Sequence, residues 1–125
     1  MDQSESARNV VLRWIDEVWN RGRIDLVPEL VHNPYIRHEP DGSTHTFSIE
    51  QSAERVSRAQ AASPDVFIDL RRIVAEGDCV STHFVVRGTD PKSGGKLVQT
   101  GMEMFRIADG KIAEVWTTAG FDGEW

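Results

Sequence analysis

The sequence predicts an α+β domain in which three helices lie against one face of a curved sheet. Three observations predict it. Apolar residues recur at helical spacing in the first half of the chain, as in Ala7, Val10, Val11, Trp14 and Val18. After Pro64 the period changes to two. Turn-forming stretches then divide the second half into strands, most clearly Asp109-Gly110. A run of helices followed by a run of strands is the α+β order, and a sheet with one face to cover wraps the helical layer.

The first helix is expected over residues 4–21, capped by Ser4 and ended by Gly22. Asp25 reads as the cap of a short helix from Leu26 to Val31, with Pro28 tolerated in its first turn. "HNPYIRHEPDGST" has two X-Pro steps and Asp41-Gly42, and reads as an extended, turn-rich segment. Ser48 opens a third helix, and Gln51 completes a capping box. That helix runs to about Ala62. Four strands follow: Val66 to Asp78, Cys79 to Gly88, about Leu97 to Ile107, and Lys111 to about Thr118. The tail "AGFDGEW" is expected to be irregular.

The 125 residues suit one domain with a single core, residues 1–125. A formal charge of −6 without a basic stripe argues against nucleic acid and anionic membrane as partners. No apolar run reaches the length of a membrane span, and the N-terminus lacks a signal-peptide layout. Cys79 is the only cysteine and cannot form an internal disulfide, so a reducing cytoplasm is the expected location.

One residue stands out in "GMEMFRIADGKIAEVW". Glu103 lies between two methionines, in phase with Phe105 and Ile107. It is either a carboxylate that faces solvent or pairs with an arginine, or a pocket acid whose proton affinity is raised by apolar walls. A three-residue turn pairs Glu103 with Val115 and puts Glu103, Phe105, Val115 and Thr117 on one face. A two-residue turn pairs it with Trp116 and moves Thr117 to the other.

The pieces "VWNRGRIDLVPELV", "YIRHEP", "SPDVFIDLRRIVAEGDCV", "RGTD" and "MFRIADGKIAEVW", in this order and spacing, resemble the SnoaL-like polyketide cyclases. These belong to the nuclear-transport-factor-2-like superfamily, and the resemblance covers nearly the whole chain. It implies a cone, or cystatin-like roll, of curved antiparallel or mixed sheet around three N-terminal helices. It also implies a deep apolar pocket for a small apolar molecule, no metal or organic cofactor, and a homodimer through the outer sheet face. Relatives place a general acid/base directly after a tryptophan on the last strand, assisted by a histidine on the preceding strand. The tryptophan matches Trp116, but Thr117 follows it, and the helper histidine aligns with Glu103.

The resemblance therefore points to Glu103 as acid/base, with Thr117 or His38 orienting substrate or water. Trp14, Val18, Tyr35, Phe84, Phe105, Val115 and Trp116 are the expected pocket walls. The implied reaction is proton transfer beside a carbonyl, as in aldol cyclisation or isomerisation, placing the chain among lyases or isomerases. Two other readings stay open: a non-catalytic binder of a small ligand, which Thr117 favours, and a hydrolase that activates water.

Other chemistries are less well supported. Tyr35, His38 and Glu39 are expected at the pocket rim. His38, Glu39, Asp41 and His45 match no metal-ligand spacing. No serine has a nucleophile-elbow context, and "KSGGK" lacks the strand-loop-helix setting of a phosphate cradle. The Thr82/Phe84/Val86 face lacks the arginine and aspartate of the epoxide hydrolases of this fold, and His83 is expected on the opposite, outer face.

Overall fold

The structure is a computed structural model of the chain, describing residues 2–125. Helix α1 spans Gln3–Arg13. Its cap is Asp2, which accepts from the Glu5 amide at 2.8 Å. Ser4, expected to cap, instead accepts from the Gly77 amide at 2.8 Å and ties the helix to a distant turn. Residues Trp14–Asn20 continue the helix with wider, π-type winding, and Gly22 ends it at φ +73°. The i→i+5 spacing of that winding brings Trp14 and Trp19 to one side, where their rings meet edge to face at 6.0 Å. The Asn20 amide then pairs with both backbone groups of Ile68, at 2.7 and 2.9 Å.

A single 3₁₀ turn, Ile24–Leu26, leads into helix α2, Val27–Leu30. Asp25 does not cap it, because its carboxylate pairs with Arg23 at 3.0 Å in solvent. The next segment departs most from the sequence-based expectation. It contains strand β1, Val31–His38, and strand β2, Thr44–Phe47. Pro34 had argued for irregular chain. It follows a cis peptide bond and falls where the β1 pairing is irregular, between Val31 and Ile36. A bulge is one place in a sheet that tolerates a residue without an N–H. Helix α3, Ile49–Ala62, starts with the expected capping box of Ser48 and Gln51.

Strands β3 (Phe67–Glu76), β4 (Cys79–Thr89), β5 (Lys96–Ala108) and β6 (Lys111–Thr117) form the meander. The sheet order is β2-β1-β6-β5-β4-β3, and β1 runs parallel to β6, so the sheet is mixed. The tail is more ordered than expected. Residues Phe121–Asp122 form β7 beside β5. Glu124 is gripped by Arg71 and Arg87, and Trp125 stacks on His83 at 4.9 Å.

The β5–β6 hairpin follows neither predicted register. Asp109 and Gly110 both have positive φ, 54° and 73°, as a two-residue type I′ turn requires. Ala108 pairs with Lys111 and Ile107 with Ile112. The ladder then shifts by one residue: Arg106 pairs with Glu114, and Ala113 is the extra residue of a bulge. Glu103 consequently faces Thr117 directly.

Helices and concave sheet face enclose one core. Val11, Val18, Val56, Val80, Phe105, Ile112 and Val115 are all at most 1% exposed. Among the described residues, no helix is long and apolar enough to cross a membrane.

Candidate functional site

A cavity of about 210 Å³ opens between the π-helical turn, α3 and the concave sheet face. Trp14, Ile15 and Trp19 wall it from the helix side. Ile68, Phe84 and Val86 wall it from β3 and β4. Its polar groups are Tyr35, Arg37, Arg55, Gln99, Glu103 and Thr117. Ala119 and Gly120 close one edge.

Strand alternation decides which side chains enter. On β1, Tyr35 and Arg37 line the cavity. On β5 and β6, Glu103 and Thr117 do so from directly opposed positions. The Glu103 side chain is 18% exposed, and Arg37 approaches it at 3.3 Å. Arg37 also binds Glu39. The Thr117 hydroxyl accepts from the Ala119 amide at 3.0 Å and stands across the ladder from Glu103, whose proton affinity it lowers.

Burial pushes the Glu103 carboxyl above the ordinary carboxylate value of 4.5. The Arg37 charge, the Thr117 hydroxyl and Arg55 pull the other way without overcoming it. Tyr35 is 2% exposed, and burial, with the Glu103 charge, raises its phenol, which therefore stays a hydrogen-bond donor. Burial and the neighbouring Arg37 charge lower the Arg55 guanidinium, which remains a cation at neutral pH.

The cavity brings together Glu103, Thr117, Trp14, Tyr35 and Phe84 from the residues predicted by sequence. It does not include the others. His38 was expected to orient substrate or water, but it lies on the outer face. It is one residue out of phase with Tyr35 and Arg37, so the strand turns it away. There it bonds Glu114 at 2.6 Å and stacks on Trp116 at 5.1 Å. Trp116 is likewise an outer-face residue, 36% exposed, and does not line this cavity. Val18, Phe105 and Val115 are at most 1% exposed and fill the solid core beside the cavity. Glu39 reaches the site only through Arg37. Among the described residues, no group of three or more potential metal ligands forms.

Sequence reasoning missed Arg37, Arg55 and Trp19. Arg37 was legible as the inward partner of Tyr35 once residues 31–38 are read as a strand. Trp19 needed the π-type winding, which no spacing rule for an α-helix supplies. Arg55 flanks the buried Ser52 and Val56 of α3, where a helical wheel places it at the margin of the apolar face.

Gly101 shapes the cavity from mid-strand. A Cβ there would come within 2.7 Å of the Phe84 ring, which overlies the bare glycine. Gly101→Ala is expected to turn that ring into the cavity. Two-ring ligands should lose about tenfold or more in affinity while one-ring ligands lose less, as calorimetry on both sizes would record.

A mixed sheet curved around helices, with a cavity between them, is the nuclear-transport-factor-2-like fold. The family model of the SnoaL-like polyketide cyclases matches residues 9–120, and the chain belongs to that family. Solved structures share its fold. IdmH from Streptomyces antibioticus is 27% identical with a TM-score of 0.75, over 89% of each chain. A protein from Acidithiobacillus ferrooxidans assigned to the polyketide cyclases is 21% identical, with a TM-score of 0.79 over 94% of this chain and 89% of its own. A SnoaL-like polyketide cyclase from Agrobacterium tumefaciens is 14% identical, with a TM-score of 0.76 over 94% and 91%. No curated protein matches the chain.

Proposed function

We propose that the chain catalyses proton transfer at a carbon next to a carbonyl, in an aldol cyclisation or isomerisation of a polyketide-like or other apolar carbonyl compound. The observation that carries this reading is Glu103: a carboxyl in a largely apolar cavity, bonded by Arg37 and opposite Thr117, with its proton affinity raised by burial. As a carboxylate it takes the proton from the α-carbon. The enolate oxygen that forms accepts hydrogen bonds from the Tyr35 hydroxyl and from Arg37. The enolate carbon then attacks a second carbonyl, whose oxygen takes the proton back from the Glu103 acid, or is itself reprotonated at another position by that acid. No cofactor is required. The acid stands on β5, directly opposite Thr117, the residue that follows the tryptophan of the last strand.

The test is a carboxyl titration of Glu103 by NMR together with solvent-deuterium incorporation into a bound carbonyl compound. An ordinary carboxylate pKa and no Glu103-dependent exchange would overturn the proposal. The apolar outer face supports a homodimer: Met102 and Met104 are 42% and 40% exposed beside Trp116. Light scattering should give twice the chain mass, and Trp116→Glu should give the monomer. Cys79, a free thiol, supports a reducing, cytoplasmic location.

A further inference from the structure

The cavity is more cationic than an apolar carbonyl compound needs. The whole chain carries −6, yet this site holds two guanidiniums against one carboxylate. The two arginines are not equivalent. Arg37 is held by Glu39 and Glu103. Arg55 takes part in no ion pair among the described residues. Glu39 and Glu103, the carboxylates whose charge acts on it, are engaged by Arg37, and Arg55 lies against the face of Phe47, its guanidinium carbon 4.7 Å from the ring centre.

A guanidinium has five N–H donors in a planar fork. Partly burying it without an acceptor is costly, so a lone arginine in a cavity wall is best explained by an acceptor that arrives with the ligand. The aromatic ring packs against a guanidinium that also lines the cavity. Trp14, Phe84 and Ile68 on the other walls suit an apolar, ring-bearing body.

We infer that the substrate binds as a carboxylate, its acid group paired with Arg55 and its apolar body against Trp14 and Phe84. This deepens the proposed function, since it rests on the same cavity being the substrate site. It divides the polar groups between two tasks: Arg55 anchors the acid, while Glu103, Tyr35 and Arg37 serve the reacting carbonyl. Arg55 is thus a specificity residue, and neutral analogues of equal size are rejected because they leave its fork unpaired.

Calorimetry with two matched pairs of probes tests this: naphthoate against naphthamide, and hydrocinnamate against its amide. The wild-type chain is expected to bind at least one acid about tenfold or more tightly than its amide. Arg55→Gln should erase that preference with little change for the amide, and Arg55→Lys should retain part of it. Circular dichroism confirms that each variant folds. Glu103→Gln should keep or increase the preference, since it removes the competing negative charge. Equal binding of acid and amide in both pairs, no binding of either acid, or a preference that survives Arg55→Gln overturns the inference. Failure of the proton-transfer reading is separate: it appears as Glu103-independent exchange, whatever the probes do.

Discussion

Glu103→Gln is expected to lower turnover by about 10²–10⁴-fold while leaving ligand binding within a few fold. Glutamine keeps the size and, through its single amide oxygen, an acceptor for Arg37, but cannot exchange a proton. The same substitution is expected to raise Tm at neutral and mildly alkaline pH. The sign follows from the raised proton affinity. A carboxyl whose folded pKa exceeds its unfolded value favours the folded state fully below about 4.5 and loses that contribution as pH rises through the folded value. The wild-type chain should therefore lose stability over that interval, and the glutamine variant should not. Activity should run the opposite way, rising with pH as Glu103 ionises. Thermal melts and rate profiles across pH check both. Unchanged turnover, or a melting curve with the same pH dependence in both proteins, contradicts the assignment. Stability given up at the reacting group is a common cost of a working site.

Phe105→Ala is expected to destabilise the fold by about 3–5 kcal/mol. The ring is 1% exposed and pairs across strands with Val80 on one side and Val115 on the other. Both neighbours are fully buried, so little can move to fill the space. Single domains are stable by only about 5–15 kcal/mol, and the loss should show as a Tm drop well beyond 10 °C. Phe105→Leu should recover about half or more of it. Urea denaturation with an unchanged m-value would confirm that the effect is on packing. A loss under about 1 kcal/mol would mean that the core beside the cavity is softer than its burial indicates.

The readable parts of this fold are those with local causes. The capping box at Ser48, the stripe from Ala7 to Val18 and the meander after Pro64 each follow from neighbouring residues. The parts that sequence reading lost have non-local causes. β1 pairs in parallel with a strand about 80 residues away, and nothing within "HNPYIRHEP" announces that partner. Reading that stretch as irregular also misplaced His38: a loop lets Tyr35 and His38 share a rim, whereas a strand separates them. At the site, the inward phase of Glu103 was legible because it depends only on Phe105 and Ile107. Arg37 and Arg55 were not, since charged side chains in a cavity look, in sequence, like any solvated pair.

The bulge at Ala113 works as a phase shifter. In a ladder of period two, one extra residue inverts everything beyond it. Were the turn at Asp109-Gly110 followed by regular pairing, Trp116 would stand opposite Glu103 and Glu114 opposite Phe105. An indole would then stand opposite Glu103 in place of the Thr117 hydroxyl, and a charge would enter the core. Ala113 is 4% exposed, a methyl-sized side chain in a crowded place. The hairpin thus separates two demands that a regular ladder would couple: the turn chooses the tightest closure available to the chain, and a single small residue sets which side of β6 faces the ligand.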